Sequence, residues 1–209
     1  MSFLATHLRF ALDIKDKYQV SDLSQYLSGT IYPDSRYFTA LDRDLTHNED
    51  ILVDNWANTD FKKGWQVHQF CDQFHEIARK DIFPKFFSKK DNDHIWLTAS
   101  ALKIIQDMDD RSHFDMQEYL RYLDYFYNAN GEDLALVKKY SQLAIDTYTN
   151  KKTISLDDYR SYIEAMPLTQ EMIAEFMSVT EEYLLNPDIL SKIKQIYPRA
   201  LKMLVDIKK

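Results

Sequence analysis

The segment GWQVHQFCDQFHEIAR (64–79) places His68 and Asp72 four residues apart. On a helix that spacing sets an imidazole and a carboxylate one turn apart on the same face, where both reach one cation. At about 100° per residue the segment divides into three faces. Val67, Phe70, Cys71, Phe74, Ile77 and Ala78 form a core side, and Gln66, Gln69, Gln73 and Glu76 a solvated face. Trp65, His68, Asp72, His75 and Arg79 form a third stripe, neither apolar nor simply hydrophilic. The plainer reading of the His68–Asp72 pair is a hydrogen-bonded surface pair, since short motifs are weak signals.

Three more residues bear on the choice. His7 falls on an apolar stripe with Leu4, Ala11 and Ile14, so its ring is expected to be buried with nitrogens in need of partners. Asp34 closes GTIYPDS (29–35), where Gly29 and Pro33 mark a fixed loop. His47 sits among charges in DLTHNED (44–50). Each has an ordinary explanation: a core histidine bonded to a carbonyl, a turn-capping aspartate, a solvated loop histidine. Their joint occurrence, in this order before an HxxxD helix, is what points to a metal centre.

The elements that must position them are helices. Glycine is scarce, with 3 in 209 residues, and apolar residues recur with helical period. Helices are predicted over 3–18, 22–27, 61–82 and 93–109, and then over 115–129, 132–149, 156–166, 169–185 and 187–206. Ser155 with Asp158 reads as a helix start, and Pro198 is expected to kink or break the last helix. The fold class is all-α: a multi-helix bundle with long loops in the N-terminal third. Residues 1–209 read as one domain, with a metal-site half over about 1–110 and a helical half over about 111–209.

A formal net charge of −7 without a dense basic stripe argues against nucleic-acid binding. The single cysteine, Cys71, excludes an internal disulfide and fits a reducing compartment. No signal-peptide core and no apolar run of about 20 residues stands in the chain, so a cytoplasmic protein without a transmembrane segment is expected. Cys71 is expected to pack in the core rather than ligate. His94 and His113 carry no pattern and read as solvated or structural. Asp107, Asp109 and Asp110 read as a solvated acidic helix end. The aromatic stretch EYLRYLDYFYNAN (118–130) reads as core or as a pocket wall. Oligomeric state is not legible.

The order THLRFA, GTIYPDS, Arg43 with Thr46-His47, then GWQVHQFCD resembles the zinc-dependent phospholipase C family and its nuclease relatives, in particular its short bacterial members. The resemblance covers residues 1 to about 80. It implies that Asp34, His47, His68 and Asp72 hold one zinc, and that His7 helps hold a second with Asp72 bridging. The family's further His-x-x-x-Glu pair is absent, since His94 is followed four residues later by Thr98. One or two ions are therefore expected rather than three, zinc by ligand type, with Mn or Fe also compatible.

The expected function is metal-dependent hydrolysis of a small-molecule or lipid phosphoester, with Arg36 and Arg43 as candidate phosphate contacts. The alternative is a non-catalytic helical protein with a structural or degenerate metal site. A phosphohydrolase of the HD type fits less well, because the adjacent His-Asp dipeptide occurs only reversed, as Asp93-His94.

Overall fold

The computed structural model describes residues 3–53, 56–88 and 92–207, and no strand occurs among them. The helices are α1 (Leu4–Ile14), α2 (Leu23–Ile31), α3 (Arg36–Thr39), α4 (Arg43–Thr46), α5 (Asp60–Ile82), α6 (Asn92–Arg111), α7 (Met116–Leu120), α8 (Leu134–Tyr148), α9 (Arg160–Glu164), α10 (Gln170–Leu184), α11 (Pro187–Ile193) and α12 (Ile196–Ile207). The expected all-α bundle is the fold observed. One buried apolar cluster runs from Phe3 to Leu204, so both halves of the chain share a core.

Starts are set by local chemistry. The Asp22 carboxylate accepts from the Gln25 amide at the head of α2, and the Thr59 hydroxyl accepts from the Lys62 amide at the head of α5. Asp60 then ties the two starts together. Its Oδ2 accepts from the amides of Ser21 and Asp22 and from the Ser21 hydroxyl, while Oδ1 accepts from Lys63.

The α2–α5 packing is close. Gly29 of α2 and Gly64 of α5 make it possible. A Cβ on Gly29 would lie 2.0 Å from the Phe61 carbonyl oxygen, and one on Gly64 would lie 1.9 Å from that of Tyr26. Each helix thus presents bare backbone to the other. This corrects the loop reading of GTIYPDS. Residues Gly29 to Ile31 are the last turn of α2, and Tyr32–Ser35 is a 3-10 turn with Pro33 near its start.

Other departures have equally local causes. The helix expected over 115–129 ends at Leu120, after which the chain runs irregularly to α8. Tyr125 and Tyr127 there are exposed rather than core, though both rings meet Phe61. Residues 156–159 form a 3-10 turn ahead of α9, opened by Asp158 accepting from the Ser155 amide. The last predicted helix is two, α11 and α12. The break precedes Ile196, and Pro198 sits in the first turn of α12, where no intrahelical donor is missed. The N-terminal third has fewer loops than expected, because 32–52 is broken into single turns.

On α5 the wheel needs two corrections. Gln66 and Gln69 are buried, donating to the carbonyls of Ile51, Val53 and Thr46 that pass over the helix. Ile77 is exposed. The acidic end of α6 is also not solvated. Asp107 and Asp110 are buried, and their carboxylates accept from the Thr6 amide and hydroxyl, Arg9, Gln106, Tyr148 and Tyr159. Burial holds the Asp107 carboxyl up at about 6 and the Asp110 carboxyl at about 7 despite those donors.

Candidate metal centre

Four elements deliver five side chains to one place. His7 comes from the middle of α1, Asp34 from the turn after α2, His47 from the end of α4, and His68 and Asp72 from α5. His7 and Asp34 are each 2 % exposed, His68 is fully buried, and the side chains of His47 and Asp72 are 3 % and 17 % exposed. All five residues singled out from the sequence therefore meet, and His47 is not the solvated histidine its surroundings suggested.

The separations are informative. His7 Nε2 lies 3.9 Å from Asp34 Oδ2 and 3.7 Å from Asp72 Oδ1. Asp72 Oδ2 lies 3.8 Å from His47 Nε2 and 3.7 Å from His68 Nε2. These are too long for hydrogen bonds. They are close to the roughly 3.3–3.6 Å between donor atoms on a tetrahedral ion with bonds of about 2.0–2.2 Å. His7, His68 and Asp72 form one potential ligand triad, and Asp34, His47 and His68 another, with donor atoms within 4.8 Å of one another in each.

Second partners fix which nitrogen faces inward. His68 Nδ1 is 2.8 Å from the Thr30 carbonyl oxygen, which can only accept, so Nδ1 carries the proton and Nε2 presents a lone pair. The Thr46 hydroxyl donates to the Arg43 carbonyl at 3.3 Å and lies 2.8 Å from His47 Nδ1. With Nδ1 donating to that hydroxyl, His47 Nε2 is also a lone pair; in the other tautomer it donates to His68 Nε2, 3.3 Å away. A metal-binding histidine is held in just this way, by a partner on its other nitrogen.

Burial and the neighbouring His68 ring push the His7 imidazole well below its ordinary 6.5. Burial lowers His68 as well, against the pull of Asp34 and Asp72. Burial would raise the Asp72 carboxyl, yet the positive charge and hydrogen bonding around it, His47, His68 and His7 included, hold it well below the usual carboxylate range. Neutral imidazoles beside ionised carboxylate is the protonation state in which these groups ligate. Both nitrogens of His7 and Oδ1 of Asp34 lack hydrogen-bond partners among the described residues. Each such buried atom costs about 1–3 kcal/mol unless something satisfies it. The donor set, its spacing and its unsatisfied atoms fit a divalent cation.

A pocket of about 250 Å³ opens beside the cluster, with Asp72 and His47 in its wall and Arg43, Gln69, Gln73 and Lys103 around them. Arg36 does not line it. Its guanidinium stacks on the Tyr37 ring 4.0 Å away. Cys71 is buried beside His75 and belongs to neither triad. His75, one turn past Asp72, donates from Nδ1 to the Cys71 carbonyl, and burial with the nearby Arg79 pushes it down to about 3. His113 is an exposed partner of Asp109, and the His94 side chain lies outside the described residues.

Sequence reasoning missed Thr30 and Thr46, whose carbonyl and hydroxyl orient two imidazoles. No residue-type signal marks a backbone acceptor. It also missed Lys103, which has no neighbouring motif. No protein-family model, no curated protein and no solved structure matches this chain.

Proposed function

We propose that the cluster of His7, Asp34, His47, His68 and Asp72 is a divalent-metal centre, zinc by ligand type, and that it serves hydrolysis of a phosphoester. The observation that carries this reading is the convergence of ligand atoms: those of His7, His68 and Asp72, and those of Asp34, His47 and His68, lie within 4.8 Å of one another in each group. A cation there would also satisfy buried atoms of His7 and Asp34 that have no hydrogen-bond partner among the described residues. The order of the ligands along the chain also resembles that of the zinc-dependent phospholipases C and related nucleases.

A divalent cation held there supplies Lewis acidity toward a phosphoryl oxygen and acidifies a water. The chain's own residues do the rest. Thr30 holds the His68 imidazole in the ligating tautomer, and Thr46 orients that of His47. Asp72, the most exposed of the five, connects the buried cluster to the pocket. Arg43 stands at the pocket's exposed side, where its guanidinium can receive a phosphate oxygen. A pocket at the cluster favours catalysis over a closed structural site, whose ligands leave no open position.

The test is elemental analysis of protein purified without a metal-affinity step, for the wild type and His68→Ala, with a panel of chromogenic phosphomono- and diesters. Near-stoichiometric metal lost in the variant, with turnover abolished by chelator and restored by zinc or manganese, is the expected result. Equal and negligible metal in both proteins removes the reading. Bound metal without turnover on any ester leaves a structural metal site.

A further inference from the structure

Lys103 of α6 lies partly buried in the pocket wall with Asp72 and His47, and no carboxylate pairs with it among the described residues. Behind it, Arg79 of α5 is buried, and its described hydrogen-bond partner is the neutral Gln106 side-chain oxygen at 3.2 Å. Each of these two cations lies in the other's field and in that of Asp72. Buried or half-buried cations without a directly bonded anion are costly. Of the other acids in the lining, Glu76 is paired with Lys80, and Glu49 has no ion pair among the described residues.

Charge then selects the ligand. Arg43 and Lys103 are the two cations of the pocket's lining, beside Asp72, Glu49 and Glu76. A phosphomonoester dianion gains more from two such cations than a diester monoanion does. The wall also limits what else the ligand can be. Leu52 is the one apolar residue among the described lining, so this wall offers an acyl chain little to pack against.

We propose that Lys103 binds the phosphate of the substrate directly, and that the pocket takes a small, hydrophilic phosphomonoester rather than a lipid. This rests on the phosphoester reading above and adds to it a specificity-determining residue and a substrate class. Arg79 acts behind Lys103, as a fixed positive charge without contact to the ligand.

The experiment is calorimetric titration of zinc-loaded protein with inorganic phosphate, for the wild type, Lys103→Met and Lys103→Arg, with zinc content and thermal unfolding measured on each. Lys103→Met keeps the aliphatic stem and removes the charge. It should weaken phosphate binding about 10- to 100-fold, the value of one charge-assisted hydrogen bond, with zinc content unchanged. Lys103→Arg should stay within a few-fold of wild type. If the Met variant fails to fold, Lys103→Gln takes its place. Phosphate binding equal in wild type and the charge-free variant overturns the role of Lys103 and leaves the phosphoester reading standing. No phosphate binding by zinc-loaded wild type overturns both. For substrate class, p-nitrophenyl phosphate should be turned over with a higher kcat/KM than bis(p-nitrophenyl) phosphate or dihexanoylphosphatidylcholine. Preference for either of the latter overturns the monoester assignment.

Discussion

Gly64→Ala should damage the site without touching any residue in it. The added Cβ would lie 1.9 Å from the Tyr26 carbonyl oxygen and 2.8 Å from the Thr30 amide nitrogen. Both are backbone atoms of α2, so no side-chain rotation relieves the clash. Ordinary contact requires the first of these distances to grow to 3.4 Å, and only separation of α2 from α5 achieves that. Overpacking of this kind costs about 1–3 kcal/mol, and a rigid backbone contact belongs at the upper end. Alanine returns about 1 kcal/mol of helix propensity. A net loss of about 2 kcal/mol remains, or about 4–8 °C in Tm for a chain of this size.

The consequence for the site follows from what α2 carries. The Thr30 carbonyl orients His68 at 2.8 Å, and Asp34 stands four residues beyond it. A shift of more than 1 Å in α2 breaks the first contact and withdraws the second ligand, so bound metal should fall together with Tm. Gly131→Ala is the control. Gly131 has φ +80° and open space around it, so alanine there costs about 1–2 kcal/mol of backbone strain and leaves the metal alone. Thermal melts and elemental analysis of both variants decide the matter. A Gly64→Ala protein with wild-type Tm and full metal would refute the claim that the close α2–α5 crossing sets the site.

Two further outcomes follow from buried charges. The Asp60 carboxyl is held down at about 2, since Lys63 and the Ser21 and Asp22 donors outweigh its burial. Its stabilisation is present above pH 3.8 and lost as pH falls through 2, so Asp60→Asn should cost about 2 kcal/mol at pH 7 and almost nothing near pH 2 in urea unfolding. A pH-independent cost would show that the lost contacts are not ionic. His75, at about 3, is neutral in the fold and takes a proton on unfolding below 6.5. Its stabilisation is present above pH 6.5 and about 2 kcal/mol of it is gone by pH 5, so the acid limb of the stability curve for His75→Phe should be shallower by about one proton. An unchanged limb would place the ring in water.

What was legible in the sequence is what periodicity and spacing encode. The HxxxD pair, the inward His7 and the long helices were readable because one residue's position along a helix fixes its face. The buried acids of α6 were not. A run such as Asp107–Asp110 looks solvated until Thr6, Arg9, Tyr148 and Tyr159 arrive from distant segments to bond it. The same holds for Gln66 and Gln69, made buried by the chain segment that crosses over them. Side chains that satisfy backbone carbonyls passing overhead carry no local signature, because the partner is any residue at all.

GTIYPDS shows how a sequence signal can name the right residue for the wrong reason. Gly29 and Pro33 suggested a loop built to aim Asp34. Gly29 instead belongs to α2 and lets that helix lie against the α5 backbone beside Phe61. Its partner Gly64 lies four residues before His68, and the carbonyl of Thr30, adjacent to Gly29, is the one that orients His68. Pro33 then turns the chain out of α2 so that Asp34 enters the cluster instead of continuing the helix. Glycine, proline and aspartate are therefore linked through one helix crossing: the glycines bring two backbones close enough for a carbonyl to hold an imidazole, and the proline turn adds a carboxylate at the same depth. A loop could supply the carboxylate but not the fixed imidazole, so the helical arrangement is the one that yields both ligands from a single contact.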